Sequence, residues 1–285
     1  MVSLEARRRR YSLKFCKQVC CLFNGGNMPF PNYPNKYAGE AVMKPEDTIE
    51  MRKRFGKFPN VKPPKGLIFC LKNDLPKTLR WRVPIQKAGK VMGDMFLVKK
   101  TNGSVGVLSN FGIGAPVVVS LAEEMISFGV KRFIILSWGG ALQKNLTAGD
   151  IVAPDFAIRD DGVSRHYVQS DERAYANVDL KNKIEHELSK QNVKFYSGGA
   201  WTTDAPYRET KEEILAYQAE NVQIVEMEIA GLFTLGQVRG VQTAAIAVVA
   251  DSLANLTWQM PTDMKRINQS FEIAYKAAIQ ALMQE

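Results

Sequence analysis

The chain has 285 residues, 46% apolar and 24% charged, enough to bury one large core or two small ones and unlike a disordered, collagen-like or disulfide-scaffold protein. Its formal charge of +9 would point to anionic partners if it were spread over the fold, but residues 1–27 concentrate Arg7, Arg8, Arg9, Arg10, Lys14 and Lys17 against Glu5 alone. Beyond residue 28 the basic residues are scattered, which argues against nucleic acid as a partner, and no run approaches the ~18 uninterrupted apolar residues of a membrane span.

Residues 1–27 read as a basic, disordered extension, or as sequence upstream of a start at Met28. A secretion signal fits poorly, because Lys17 breaks the apolar run and no small-residue cleavage pattern comes after it. Cys16, Cys20 and Cys21 lack the second Cys/His cluster that a zinc site needs, and Cys70 sits in an apolar run typical of a buried thiol. The chain is therefore expected to be cytoplasmic and reduced. Residues 28–65 form a Pro-rich arm in which PFPNYPNKY and NVKPPKG bracket a short helical stretch near Pro45–Phe55.

From residue 66 to 285 the pattern is that of a single domain. Leu67–Leu71, Val105–Ser109, Phe133–Ser137, Ile151–Val152 and Thr243–Val249 read as buried strands. Val117–Phe128, ending at Gly129, and Leu180–Gln191, Lys211–Ala219, Glu228–Val238 and Met264–Met283 carry apolar residues on a helical period. Strands alternating with helices predict an α/β fold, a three-layer α/β/α sandwich around a mixed, largely parallel sheet, with ligands gathering at the carboxyl ends of the strands.

Four segments have the composition for chemistry, and each has a plainer explanation. Asn110-Phe111-Gly112-Ile113-Gly114-Ala115-Pro116 joins a strand to a helix and suits an anion or a sugar, although a tight turn explains it equally well and the third glycine of a dinucleotide fingerprint is missing. Glu226-Met227-Glu228 lies where a strand pattern gives way to a helical one. The helix dipole accounts for one of these acids but not both, because one must be buried and needs donors. Asp251 ends the most apolar strand, as a cap or as a general acid. Thr202-Thr203-Asp204-Ala205-Pro206-Tyr207-Arg208-Glu209-Thr210 is a polar loop whose Arg208 either pairs with a nearby acid such as Glu209 or binds a ligand.

Together with Glu123-Glu124, Gly140-Ala141-Leu142-Gln143 and Gly149-Asp150-Ile151-Val152, these segments occur in an order that resembles the nucleoside phosphorylase and nucleosidase superfamily, most closely its uridine phosphorylase and hexameric purine nucleoside phosphorylase branch. The resemblance runs from about Gly66 to the C-terminus. It implies that Glu228 accepts hydrogen bonds from the sugar 2′- and 3′-hydroxyls, that Met227 lies under the sugar with Glu226 nearby, and that Gly112 and Gly114 line the site. It also implies that Asp251 protonates the departing base and that Arg208 binds it, although the accompanying Gln of uridine phosphorylases is not at the corresponding place.

The anion side departs from the family. The Pro-Gly-Asp-Pro-x-Arg turn is replaced by Lys72-Asn73-Asp74-Leu75-Pro76-Lys77, and the arginine and threonine of a later strand end by Ile135 and Trp138. A neighbouring subunit's arginine would fall near Met92, with Lys90 close by. Losing bidentate arginines weakens the hold on a phosphate dianion. The family role therefore falls to Lys77, with Arg80 or Arg82 as candidate helpers, or else water is the nucleophile and Asp74 its base. Three readings are open: a nucleoside phosphorylase with inorganic phosphate as co-substrate, a nucleoside hydrolase, and a non-catalytic nucleoside-binding homologue with Trp138 closing the phosphate pocket. The resemblance further implies a homo-oligomer, dimeric or hexameric. No metal or cofactor signature is visible, and His166 and His186 read as structural.

Overall fold

The computed structural model describes residues 36–169, 173–260 and 263–284. The chain divides into two units, residues 1–39 and 40–285; in the first, the described part is a single 3₁₀ turn, Lys36–Ala38. The expected extension at 1–27 lies outside the described residues.

The second unit begins with helix α1 (Pro45–Arg54) and strand β1 (Gly66–Cys70), then the short helix α2 (Leu75–Thr78). Next come strands β2 (Ile85–Val91), β3 (Gly93–Val98) and β4 (Val105–Ser109), helix α3 (Ala115–Phe128), and strands β5 (Arg132–Ala141), β6 (Ile151–Asp160) and β7 (Arg173–Tyr175). Helix α4 (Val178–Lys190), strand β8 (Phe195–Thr203), helix α5 (Lys211–Ala219), strand β9 (Val222–Glu226), helix α6 (Ile229–Arg239), strand β10 (Gln242–Ser252) and helix α7 (Met264–Met283) complete it. The arm expected at residues 28–65 is in part a fixture of this body. Arg52 of α1 reaches Glu124 of α3 at 2.7 Å, and Phe58 is buried edge-on against Phe128.

The sheet is mixed, as its pattern predicts. β1 runs parallel to β4 and β5, β5 is parallel to β10, and β6 is parallel to β8, which is parallel to β9. β2, β3 and β4 pair antiparallel along the other flank. β10 also pairs with β6, and β9 with β5, both antiparallel. Strands β5, β10, β6, β8 and β9 thus close into a ring.

Alternation along β5 sorts the two faces, since successive side chains of a strand point to opposite sides. Phe133 and Ile135 join the core beneath α3 and α6, whereas Ile134 and Leu136 join the core beneath α4 and α7. Cys70 is buried, as read from the sequence, and burial pushes its thiol up to about 12. Among the described residues no helix is long and apolar enough to cross a membrane, and no group of His, Cys, Asp and Glu is arranged to hold a metal ion.

Candidate active site

The carboxyl ends of β4, β5, β8, β9 and β10 deliver the polar residues. After β4 the backbone turns through left-handed conformations at Asn110 (φ 63°), Gly112 (φ 101°) and Gly114 (φ 97°) before α3 begins. The two glycines are there because an L side chain is strained at such φ. The turn aims the amide of Gly114 at Glu228 Oε1, 2.6 Å away.

The two acids of Glu226-Met227-Glu228 divide the work that the sequence left undivided. Glu226 closes β9 and caps α6: its Oε2 accepts the amides of Glu228 (2.7 Å) and Ile229 (2.8 Å), and its Oε1 accepts the hydroxyl of Thr202 at the end of β8. The Thr202 oxygen in turn accepts the amide of Ala230 at 2.9 Å. Glu226 is thus the acid that the helix N-terminus explains.

Glu228 is the other kind. Its side chain is buried, Oε1 takes the Gly114 amide, Oε2 meets the Ser137 hydroxyl of β5 at 3.4 Å, and the Met227 amide also donates to the carboxylate. A carboxylate offers about four lone-pair positions, so Oε2 keeps acceptor capacity for a further donor. Burial pushes Glu228 upward against the pull of its donors; burial and the charge of Glu228 push Glu226 up to about 8. The two acids are close enough to titrate as a coupled pair, both raised by burial. Met227, between two buried acids, is only partly covered.

Asp251 ends β10, and its Oδ2 accepts the indole N–H of Trp258 at 2.6 Å. It stands over Gly140 of β5, where a Cβ would come within 2.9 Å of Asp251 Oδ1, so the glycine makes room for the carboxylate. Thr202 and Thr203, expected in a loop, are the buried end of β8. Beyond them Asp204 accepts the amide of Gly162 at 2.7 Å. Arg208 lies exposed on a 3₁₀ turn, Pro206–Arg208, and no acid among the described residues pairs with it. Glu209, half-buried beside it, is pushed up to about 7 by burial and by the charges of Asp251 and Glu213.

The family model described as "Phosphorylase superfamily" matches residues 76–283. The chain belongs to the phosphorylase superfamily. Its relatives include a uridine phosphorylase of Haemophilus influenzae, 27% identical over 194 residues that cover 63% of this chain and 76% of the relative. A DeoD-type purine nucleoside phosphorylase of Bacillus cytotoxicus is 30% identical over 174 residues, 59% of this chain and 73% of the relative. The crystal structure of uridine phosphorylase from Vibrio fischeri superposes with a TM-score of 0.64 at 27% identity, over 79% of this chain and 92% of that one.

Against that family background the structure leaves the anion side scattered. Lys77, expected to hold phosphate, gives its ammonium to the buried Asp94 of β3 at 3.2 Å, and Lys87 reaches the other oxygen of Asp94 at 3.4 Å. Burial would raise Asp94, but the two lysines outweigh it and hold the carboxyl below its usual range. Asp74, the candidate base for water, has a largely exposed side chain, pairs with Lys72 at 2.9 Å and opens on a cleft of about 570 Å³ against Met264–Glu272 of α7. The structure does not bring it to Glu228.

Trp138, expected to close the phosphate pocket, shares a face with Ile134 and Leu136, packs edge-on against Phe271 of α7 and lies beneath the Lys72 ammonium. The period of two along β5 puts the neighbouring residue inward instead, and Ser137 is the one that meets Glu228. Arg82, one of the two arginines considered as helpers, pairs with Glu272 of α7 at 2.6 Å. His186 is exposed on α4, and His166 is half-covered in the 3₁₀ turn Ser164–His166.

Sequence reasoning missed Ser137 and Thr202 as partners of the two acids and Trp258 as the partner of Asp251. The first two carried a usable signal, a hydroxyl at the inward position of a strand end. Trp258 carried none, because its contact depends on how the loop after β10 folds back.

Proposed function

We propose that the chain cleaves the N-glycosidic bond of a nucleoside, with inorganic phosphate as the acceptor, giving the free base and a sugar 1-phosphate. The observation that carries the reading is Glu228: a buried carboxylate, fixed by the Gly114 amide and left with acceptor capacity on Oε2, suited to the vicinal hydroxyls of a pentose. The sugar would lie over Met227, and cleavage through an oxocarbenium-like state would be favoured by a fixed carboxylate nearby and by close placement of the sugar. Arg208, exposed and without an ion-pair partner among the described residues, suits the carbonyl oxygens of a base at the Asp251 edge.

Hydrolysis is the second reading, and Lys77 favours it. A lysine already bonded to a buried aspartate is a poorer phosphate ligand than the family's arginine. A homo-oligomer is part of the same proposal, supported by the exposure of Trp81, Met92 and Ile113.

The test is base release from purine and pyrimidine nucleosides with and without phosphate, tracking the sugar product. Phosphate-dependent release with sugar 1-phosphate supports phosphorolysis. Phosphate-independent release of free sugar replaces it with hydrolysis, and binding without release would leave the chain a nucleoside-binding homologue.

A further inference from the structure

Glu228 presents a small set of acceptor positions. A carboxylate has about four lone-pair positions. The amides of Gly114 and Met227 take two of them. About two are left, and two is the number of hydroxyls in the vicinal diol of a ribose.

Ser137 of β5 competes for those positions. It is 1% exposed, and its hydroxyl stands 3.4 Å from Glu228 Oε2 and 3.1 Å from the carbonyl of Trp138. A hydroxyl has a single proton and cannot donate to both. Each distance is longer than the roughly 2.5–3.0 Å of a settled O–H···O bond, so neither acceptor holds the proton firmly.

The backbone here is fixed. Ser137 and Trp138 stand in register with Ala247 and Val248 of β10, and the Trp138 ring is set against Phe271 with 4.5 Å between centroids. The hydroxyl thus turns about one side-chain bond between two acceptors that stay in place. A hydroxyl buried without a firm bond is unfavourable, which sets Ser137 apart from Phe133 and Ile135 on the same face of the strand.

Turned to the Trp138 carbonyl, Ser137 leaves Glu228 with two open positions, enough for both hydroxyls of a ribose. Turned to Glu228, it leaves one, enough for a pentose with a single hydroxyl. We propose that Ser137 sets the discrimination between ribose and 2′-deoxyribose at this site, by standing in as donor to Glu228 when the sugar lacks a hydroxyl. The inference rests on the cleavage reading above and deepens it to the sugar. Without a stand-in, a missing hydroxyl leaves a buried charged acceptor unpaired, which costs more than the hydrogen bond itself gains.

The experiment measures kcat and KM of the full-length chain, S137A and S137C on a cleaved ribonucleoside and on its 2′-deoxy counterpart. The ratio of the two kcat/KM values is the readout, because any loss of folded protein cancels in it. The unmodified chain should favour the ribonucleoside by far less than the roughly 10⁴-fold of a site that leaves its polar groups unpaired. S137A should lower kcat/KM for the deoxynucleoside by about tenfold, chiefly through KM, the low end for a hydrogen bond to a charged group. The same change should raise kcat/KM for the ribonucleoside by up to about threefold, because its hydroxyl no longer displaces that of Ser137. The thiol of S137C fills the same place but donates poorly, so this variant should follow S137A.

An S137A chain whose ratio is unchanged, or that loses both substrates equally, overturns the assignment. So does an S137C chain that keeps the original ratio, since packing and not donation would then set it. An unmodified chain that cleaves neither nucleoside overturns the cleavage reading and the inference with it, so the two failures are distinguishable.

Discussion

The surroundings of Glu226 and Glu228 and those of Lys77 and Asp74 are both built on acids, yet the first pair is buried and the second is largely exposed. Around Glu226 and Glu228 every bond runs to a backbone amide or to a hydroxyl at a strand end. Around Lys77 and Asp74 the bonds are ion pairs between side chains, each with one exposed member: Lys77 with the buried Asp94, and Asp74 with Lys72. Backbone donors in a low-dielectric interior cost no reorganisation when a ligand arrives, whereas exposed ion pairs are weak and can exchange partners. The comparison separates a site held by the backbone from one held by side chains alone.

The strongest test of the comparison is Glu228. E228Q leaves a group of the same shape but without charge, and kcat/KM for nucleoside cleavage should fall by about 10²–10³-fold, the loss of one or two charge-assisted hydrogen bonds. Its folded stability should not fall with it, because the raised pKa shows that the ionised acid is held at a cost. A comparable loss of stability would recast Glu228 as structural.

G140A tests whether the ring is built around Asp251. The new Cβ would come within 2.9 Å of both Asp251 Oδ1 and Leu253 Cδ1. Overpacking at such a place destabilises by about 1–3 kcal/mol, measurable as a lower urea midpoint with an unchanged slope.

E226Q tests the cap by its pH dependence. Below pH 4.5 Glu226 is protonated in both the folded and the unfolded chain and contributes nothing. As pH rises from 4.5 towards 8 the unfolded chain releases its proton first, so the folded state loses stability, by on the order of a few kcal/mol in total. The Gln variant removes that contribution, and its urea midpoint should decline less between pH 5 and 8 than that of the unmodified chain.

The smallest effect is expected from K77M. Lys77 is largely exposed and already bound to Asp94, so the loss should be under about 1 kcal/mol in stability, and the KM for phosphate should move by less than about fivefold. A larger rise in KM would show that Lys77 leaves Asp94 for phosphate and would erase the contrast between the two sides.

Much of the scaffold was legible from pattern. The helix read over Val117–Phe128 is Ala115–Phe128 and stops at Gly129 as expected, and Val105–Ser109 and Met264–Met283 match residue for residue. The strand read at Ile151–Val152 extends to Asp160 because Pro154 and Asp155 interrupt its apolar run without ending its pairing. β2 escaped because it is a partly exposed flanking strand rich in Lys and Gly, and β8 because its central Gly-Gly reads as a turn. There the ring of Phe156 occupies the place where a Gly199 side chain would stand.

What the sequence by itself determined is therefore the alternation of strands and helices, the burial of an acid of Glu226-Met227-Glu228 at a strand end, and the tight turn through Gly112 and Gly114. These are local properties, set by hydrophobic period and by the φ that each residue tolerates. Which acid caps the helix and which is left for a ligand, which face Trp138 joins, whether Lys77 is free, and that Asp251 meets Trp258 were decided by the tertiary structure alone. Each of these depends on bringing together residues from separate elements, as in the 91 positions between Ser137 and Glu228, and no local pattern records that meeting.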